Sequence, residues 1–258
     1  GIIHDDVQQW LRGWMADTTE QDLAELYRFK NAQRIHQAYR SGDFFAFRLS
    51  RREWGFGRIL MVVRELKKDR QFVANKNYGL THLMGQALIV QLYHKISTSP
   101  TATPDELKDL PALPAQAIMD NEFYYGEHLI IGHLPVSPEE YEPLISLGRG
   151  LSNETFQTVY LQYGLIYKET TLDKFSKEFP GVDFERFRNE AIGFKLDFKH
   201  LRECIAERSN EPFWKNNVTN NNDDLRSPRN AAMRYRIFAF FGLDAEKSYA
   251  ENYSAFEQ

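Results

Sequence analysis

Residues 41–66 read SGDFFAFRLSRREWGFGRILMVVREL. Phe45 and Phe47 alternate with Phe44, Ala46 and Arg48, a period of two that predicts a strand with one face more buried than the other. Ser50-Arg51-Arg52-Glu53 is polar and short enough for a hairpin turn, although it lacks the Asn-Gly or Asp-Gly pair that favours one. Trp54–Leu66 then runs mostly apolar as a second strand. Gly55 and Gly57 inside it predict a bulge or a sharp bend.

On the N-terminal side the period changes to that of helices. Val7, Trp10, Leu11 and Trp14 form one apolar stripe. Thr18-Thr19-Glu20-Gln21 has the form of a capping box, with Thr18 at the cap and Gln21 three residues on. The helix it opens carries Leu23, Leu26, Tyr27, Ile35 and Tyr39 and stops at Ser41-Gly42.

On the C-terminal side, 67–85 reads as a surface loop and Gln86–Ser97 as a strand. Thr103-Pro104-Asp105-Glu106 signals a helix start by capping box and by proline at the first helical position. Glu122–Pro135 reads as a strand pair or one bent strand, and Ser137–Glu140 as a short capped turn. Leu144–Leu147 and Gln157–Lys168 read as further strands, and Ala191–Asp197 as the last; a helix over Phe184–Ile205 fits the spacing as well. Ser227-Pro228 caps a helix with Met233, Ile237 and Phe240 on its apolar face, stopped by Gly242. These elements predict an α+β protein: a bent, mainly antiparallel sheet or small β-barrel framed by N- and C-terminal helices. The expected organisation is a helical extension over 1–40, a β-rich core over 41–197 and a helical extension over 198–258 packed on the core, together one structural unit.

With 258 residues, 42% hydrophobic and 26% charged, the chain has the composition of a globular protein with a sizeable core. Its 19 Phe and 13 Tyr predict a core of large flat side chains. A net charge of −4 does not by itself imply a polyionic partner. One cysteine, Cys204, excludes an internal disulfide and fits a reducing compartment. No apolar run approaches the roughly 20 residues that span a bilayer. The start has acidic residues where a secretory signal has basic ones, so a cytoplasmic location is expected.

Chemistry is sparsely signalled. His82, His94, His128 and His133 have no ligand spacing such as His-Glu-x-x-His, and read as ordinary surface or half-buried histidines. Gly-x-Ser-x-Gly, phosphate-binding loops and dinucleotide fingerprints are absent. Cys204 lies on an apolar helix face beside Leu201 and Ile205 and reads as core. Asp120, Glu122 and Glu127 could pair, but acids at strand ends are usually solvated. No catalytic residue, metal or cofactor is implied. Arg48–Arg70 holds eight basic residues against three acidic ones, a local +5 that leaves −9 elsewhere. Gly55-Phe56-Gly57 echoes an RNA-recognition strand, but Trp54 and Arg58 stand where that pattern has a basic and an aromatic residue.

Gly42-Asp43-Phe44-Phe45-Ala46 followed by Trp54-Gly55-Phe56-Gly57-Arg58-Ile59-Leu60 resembles the hallmark of immunity protein family 26, found beside bacterial polymorphic toxins. Ile130–Pro135 is similar to a later strand of that family, and Ile118–Asn121, Tyr124–Gly126 and Tyr160–Leu165 are similar to segments of its longer members. The resemblance covers about residues 41–168. It implies a mostly β core and a non-catalytic protein that binds and neutralises the C-terminal domain of a cognate toxin, with neither nucleic acid nor membrane as partner. Contact residues do not transfer from strand-forming motifs. Acids flanking turns, Asp120, Glu122, Glu139, Glu140 and Glu142, are the expected toxin contacts on charge grounds. The rival expectations are a metal-assisted hydrolase, since some such sequences carry a phosphotriesterase label, and a nucleic-acid binder using the basic hairpin 48–70.

Overall fold

The computed structural model describes residues 2–33, 35–68, 78–81, 86–150, 157–188, 198–215 and 223–256. The chain divides into two units, Gly1–His36 and Gln37–Gln258. The first holds helices α1 (Ile2–Ala16) and α2 (Glu20–Asn31). The cap of α2 is Thr19, one residue later than expected, with Asp22 completing the box. The reason is that the Thr18 hydroxyl is spent on α1, donating to the Trp14 carbonyl at 2.9 Å. Helix α2 also ends earlier than its apolar stripe suggests, at Asn31, whose side-chain amide donates to the Tyr27 carbonyl. Ile35 and Tyr39 are therefore outside any helix.

In the second unit the hairpin is present as β1 (Asp43–Arg48) and β2 (Trp54–Val62), antiparallel with Ala46 opposite Phe56. The strand stops at Val62, and Val63–Leu66 turns into a short helix, α3. Strand β3 (Ala87–Ser97) pairs with β2, and its register shifts between Gly55 and Gly57, where the sequence predicts a bend. Helix α4 (Pro104–Leu107) opens on the expected Thr103–Glu106 box. Strand β4 (Gln116–Met119), helix α5 (Asn121–Tyr124) and strand β5 (Leu129–His133) follow, giving a sheet ordered β4-β3-β2-β1-β5.

Two expectations are corrected in this region. The expected strand over Glu122–Pro135 is a helical turn followed by a short strand. Phe123 is driven into the core, the Glu122 carbonyl accepts from the amides of Glu127 and His128, and Gly126 (φ +75°) ends the turn. Nor does β1 have one drier face: Phe44, Phe45, Ala46 and Phe47 are all fully buried. Phe45 and Phe47 pack with Leu201, Cys204, Ile205 and Phe213 of α7 (Phe198–Ala206) and α8 (Glu211–Lys215), whereas Phe44 and Ala46 pack with Trp54, Phe56, Tyr93 and Leu107. A strand covered on both sides loses its alternation.

A second sheet, β6-β7-β8, is built from β6 (Ile145–Arg149), β7 (Thr158–Tyr163) and β8 (Ile166–Thr171). The turn at Gly164 (φ +59°) splits the run read as one strand. Helices α6 (Leu172–Glu178), α9 (Ala231–Phe240) and α10 (Tyr249–Phe256) supply Phe175, Ile237, Phe238 and Tyr249 to its core. Both sheets are antiparallel and open, so the fold is α+β without a closed barrel among the described residues. The expected strand at Ala191–Asp197 lies outside them.

Candidate functional site

The three motifs that stand apart in the chain come together on neighbouring strands. Phe44 of β1 faces Arg58 of β2 on one side and Gly132 of β5 on the other. Arg58 is 2% exposed. Its Nη1 donates to Glu140 Oε1 at 2.5 Å and its Nη2 to the carbonyls of Leu134 (3.0 Å) and Pro135 (2.7 Å), with the guanidinium 4.8 Å from the centre of the Phe44 ring. The planar fork of arginine suits this shared donation, which a single ammonium does not reproduce. Burial raises the Glu140 carboxyl, but hydrogen bonds from the Ser137 amide and Arg58 outweigh it and hold the group below the usual carboxylate range. Gly42 completes the junction: its φ is +93°, and a Cβ there would collide with the Leu134 carbonyl oxygen.

Beside this junction a cleft of about 380 Å³ is lined by Tyr39, Arg40, Asp43, Ile130 and His133, among others. The buried Asp43 carboxylate accepts from the Arg40 amide at 2.8 Å and lies 2.9 Å from His133 Nδ1. An aspartate–histidine pair orients an imidazole, but covalent catalysis also needs a nucleophile within reach of it. No serine, threonine or cysteine among the described residues lines the cleft, and the Tyr39 hydroxyl donates to Asp120 at 2.6 Å. Burial, with help from Asp120, pushes the Tyr39 phenol up, away from the range of a general base.

The remaining histidines occupy separate surroundings. His94 Nδ1 lies 3.2 Å from the Ile205 carbonyl and its Nε2 3.1 Å from Asn210 Oδ1. His128 sits in an aromatic cage, stacked on Phe45 at 5.5 Å and edge-on to Phe123 at 5.0 Å; burial pushes its pKa down to about 4, so it is neutral near pH 7. His82 lies outside the described residues, among which no group of three or more His, Cys, Asp or Glu is placed to hold a metal ion. Cys204 is fully buried, and burial pushes its thiol up to about 12, an inert core sulfur.

The five acids expected to contact a partner divide into two groups. Asp120 accepts from Tyr39 and from the Gln86 amide, Glu140 serves Arg58, and Glu142 lies 3.9 Å from the buried Arg226. Glu139 is exposed and Glu122 half-buried. Two neighbours of Glu122 that the sequence singled out only as part of a family-like segment, Tyr124 and Tyr125, are exposed, their rings 5.2 Å apart. The sequence reading passed over the fact that no Lys or Arg occurs between Lys108 and Arg149, a span with seven acids. Aromatic residues are enriched at protein–protein interfaces, whereas Asp and Glu are depleted there relative to the rest of the surface. In the basic hairpin only Arg58 is shown turned away from the surface among the described residues. Arg58 faces inward, Arg48 lies 4.0 Å over Trp54, and Glu53 in the turn is held by Arg202 through two 2.6 Å bonds.

The strands are thus fastened by an inward arginine, with Glu139, Tyr124 and Tyr125 exposed at the surface. The family model described as immunity protein 26 matches residues 40–157, a segment that contains all three converging motifs and slightly less than half of the chain. The Tyr160–Leu165 motif falls beyond the match. Neither a curated protein nor a solved structure matches the chain. No helix among the described residues is long and apolar enough to cross a membrane.

Proposed function

We propose that the protein is an immunity protein: it binds the C-terminal domain of a cognate bacterial toxin in the cytoplasm and neutralises it by covering the toxin's active site. It performs no catalysis of its own. The observation that carries this reading is the immunity protein 26 match over 40–157, whose motifs are the residues packed around Arg58. The contact surface in this reading is the turn bearing Glu122, Tyr124 and Tyr125, with Glu139. It is acidic and partly aromatic, suited to a basic toxin domain. Asp120, Glu140 and Glu142 are engaged by Tyr39, Arg58 and Arg226 in this reading and are left out of the contact. Co-expression with the toxin encoded in the adjacent reading frame tests the function: a one-to-one complex and restored growth are expected, and a toxin left fully active contradicts the reading.

A further inference from the structure

A cavity of about 700 Å³ opens beside α8, lined by Asn210, Trp214, Lys215, Ser227, Pro228 and Arg229, among others. That size suits a small molecule. The cavity lies in the second unit and outside the segment that the family model matches. One wall is fixed from below, where Asn210 Oδ1 lies 3.1 Å from Nε2 of the buried His94. Ser227 is the residue that points to a ligand. It stands at the cap position of the turn Pro228–Asn230, as the sequence predicts, yet its hydroxyl makes no cap hydrogen bond. The residue is 1% exposed, and its Oγ has no hydrogen-bond partner. Native proteins leave few buried hydroxyls unpaired, because desolvating one without a partner is unfavourable. Ser227 lines the cavity, so a bound molecule can supply the partner that the chain does not.

The other lining groups define the chemistry of that molecule. Trp214, half-buried, and Pro228 offer an aromatic and an apolar surface for a flat ring. Glu211 is the one acid lining the cavity among the described residues, and it is held by Lys215 at 2.5 Å. Arg229 is exposed and makes no ion pair. A cation would therefore find no uncommitted carboxylate, whereas an anion finds a guanidinium suited to carboxylate or phosphate oxygens. We propose that the cavity binds a small molecule consisting of a flat ring and an anionic group. The ring lies on Trp214, the anionic group pairs with Arg229, and an oxygen of the ligand accepts from Ser227 Oγ.

Titration calorimetry of the full chain with phenyl phosphate tests the proposal, with inorganic phosphate and phenol as the two half-ligands. Phenyl phosphate should bind more tightly than about 1 mM, and each half at least about 10-fold more weakly. Ser227→Ala should weaken binding about 5-fold or more, the loss of one hydrogen bond. Its urea midpoint should equal or exceed the parent's, because the free protein loses no bond, which separates a ligand-binding serine from a structural one. Arg229→Gln and Trp214→Ala should each weaken binding about 10-fold or more. Absence of phenyl phosphate binding overturns the proposal. So does an affinity unchanged in both Ser227→Ala and Arg229→Gln, or inorganic phosphate that binds as tightly as phenyl phosphate.

Discussion

Replacing Arg58 with Met tests the junction that fastens the three motifs. Methionine keeps an unbranched apolar stem against Phe44 but removes every donor. The Leu134 and Pro135 carbonyls lose charge-assisted hydrogen bonds of 3.0 and 2.7 Å, and Glu140 loses its ion pair. Hydrogen bonds to a charged group contribute about 1.5–3 kcal/mol each when buried. Pro135 is exposed and the Glu140 side chain is 41% exposed, so water compensates both in part. The expected loss is about 2–4 kcal/mol, a large fraction of a typical domain's stability. Urea unfolding followed by far-ultraviolet circular dichroism reads it as a lower midpoint with an unchanged slope. Glu140→Gln should cost less than about 1 kcal/mol, because Arg58 keeps both carbonyls. An Arg58→Met midpoint within about 0.5 kcal/mol of the parent would refute the junction and return Arg58 to the list of surface cations.

Acid should destabilise the protein through His128. Its folded pKa is about 4 against 6.5 unfolded, so the stability of the neutral imidazole is intact above pH 6.5 and falls as the pH drops toward 4. That loss reaches about 3 kcal/mol, and His128→Phe should flatten this part of a stability–pH curve measured by urea titration; an unchanged slope would contradict the assignment. Gly42→Ala should cost at least about 2 kcal/mol by the same assay, from its left-handed backbone and the encounter with the Leu134 carbonyl. Glu122→Lys with Glu139→Lys should slow association with a basic toxin about 10-fold at low salt, with the difference shrinking as salt rises in stopped-flow measurements; equal rates would place the contact elsewhere.

The hairpin of Asp43–Val62 was legible because two apolar runs flank a short polar turn, with glycines where the register shifts, although both faces of β1 are buried where alternation predicted one. The Thr103 and Ser137 boxes were legible because a cap depends on a few adjacent residues. What misled was long-range. Residues 122–128 resemble a strand by composition, but Phe123 and His128 belong to an aromatic cluster with Phe45, which lies about 80 residues earlier in the chain. Arg58 counted toward a basic patch because its acceptors, the Leu134 and Pro135 carbonyls and Glu140, are invisible until β5 lies beside β1. For the same reason the five acids looked alike in sequence, although three have internal partners. Tyr124 and Tyr125 were named only as part of a family-like segment; that both are exposed follows from the helical turn they occupy, which the strand reading of 122–135 did not include.

The central claim is that the protein neutralises a toxin through the surface around Glu122, Tyr124 and Tyr125. Titration calorimetry of the purified chain against the toxin domain encoded beside it, with parent and Tyr124→Ala/Tyr125→Ala proteins, tests it most directly. The account predicts one-to-one binding by the parent and an affinity at least about 30-fold weaker for the variant, at unchanged urea stability. Absence of binding by the parent would contradict the function, and equal affinity of the two proteins would contradict the surface.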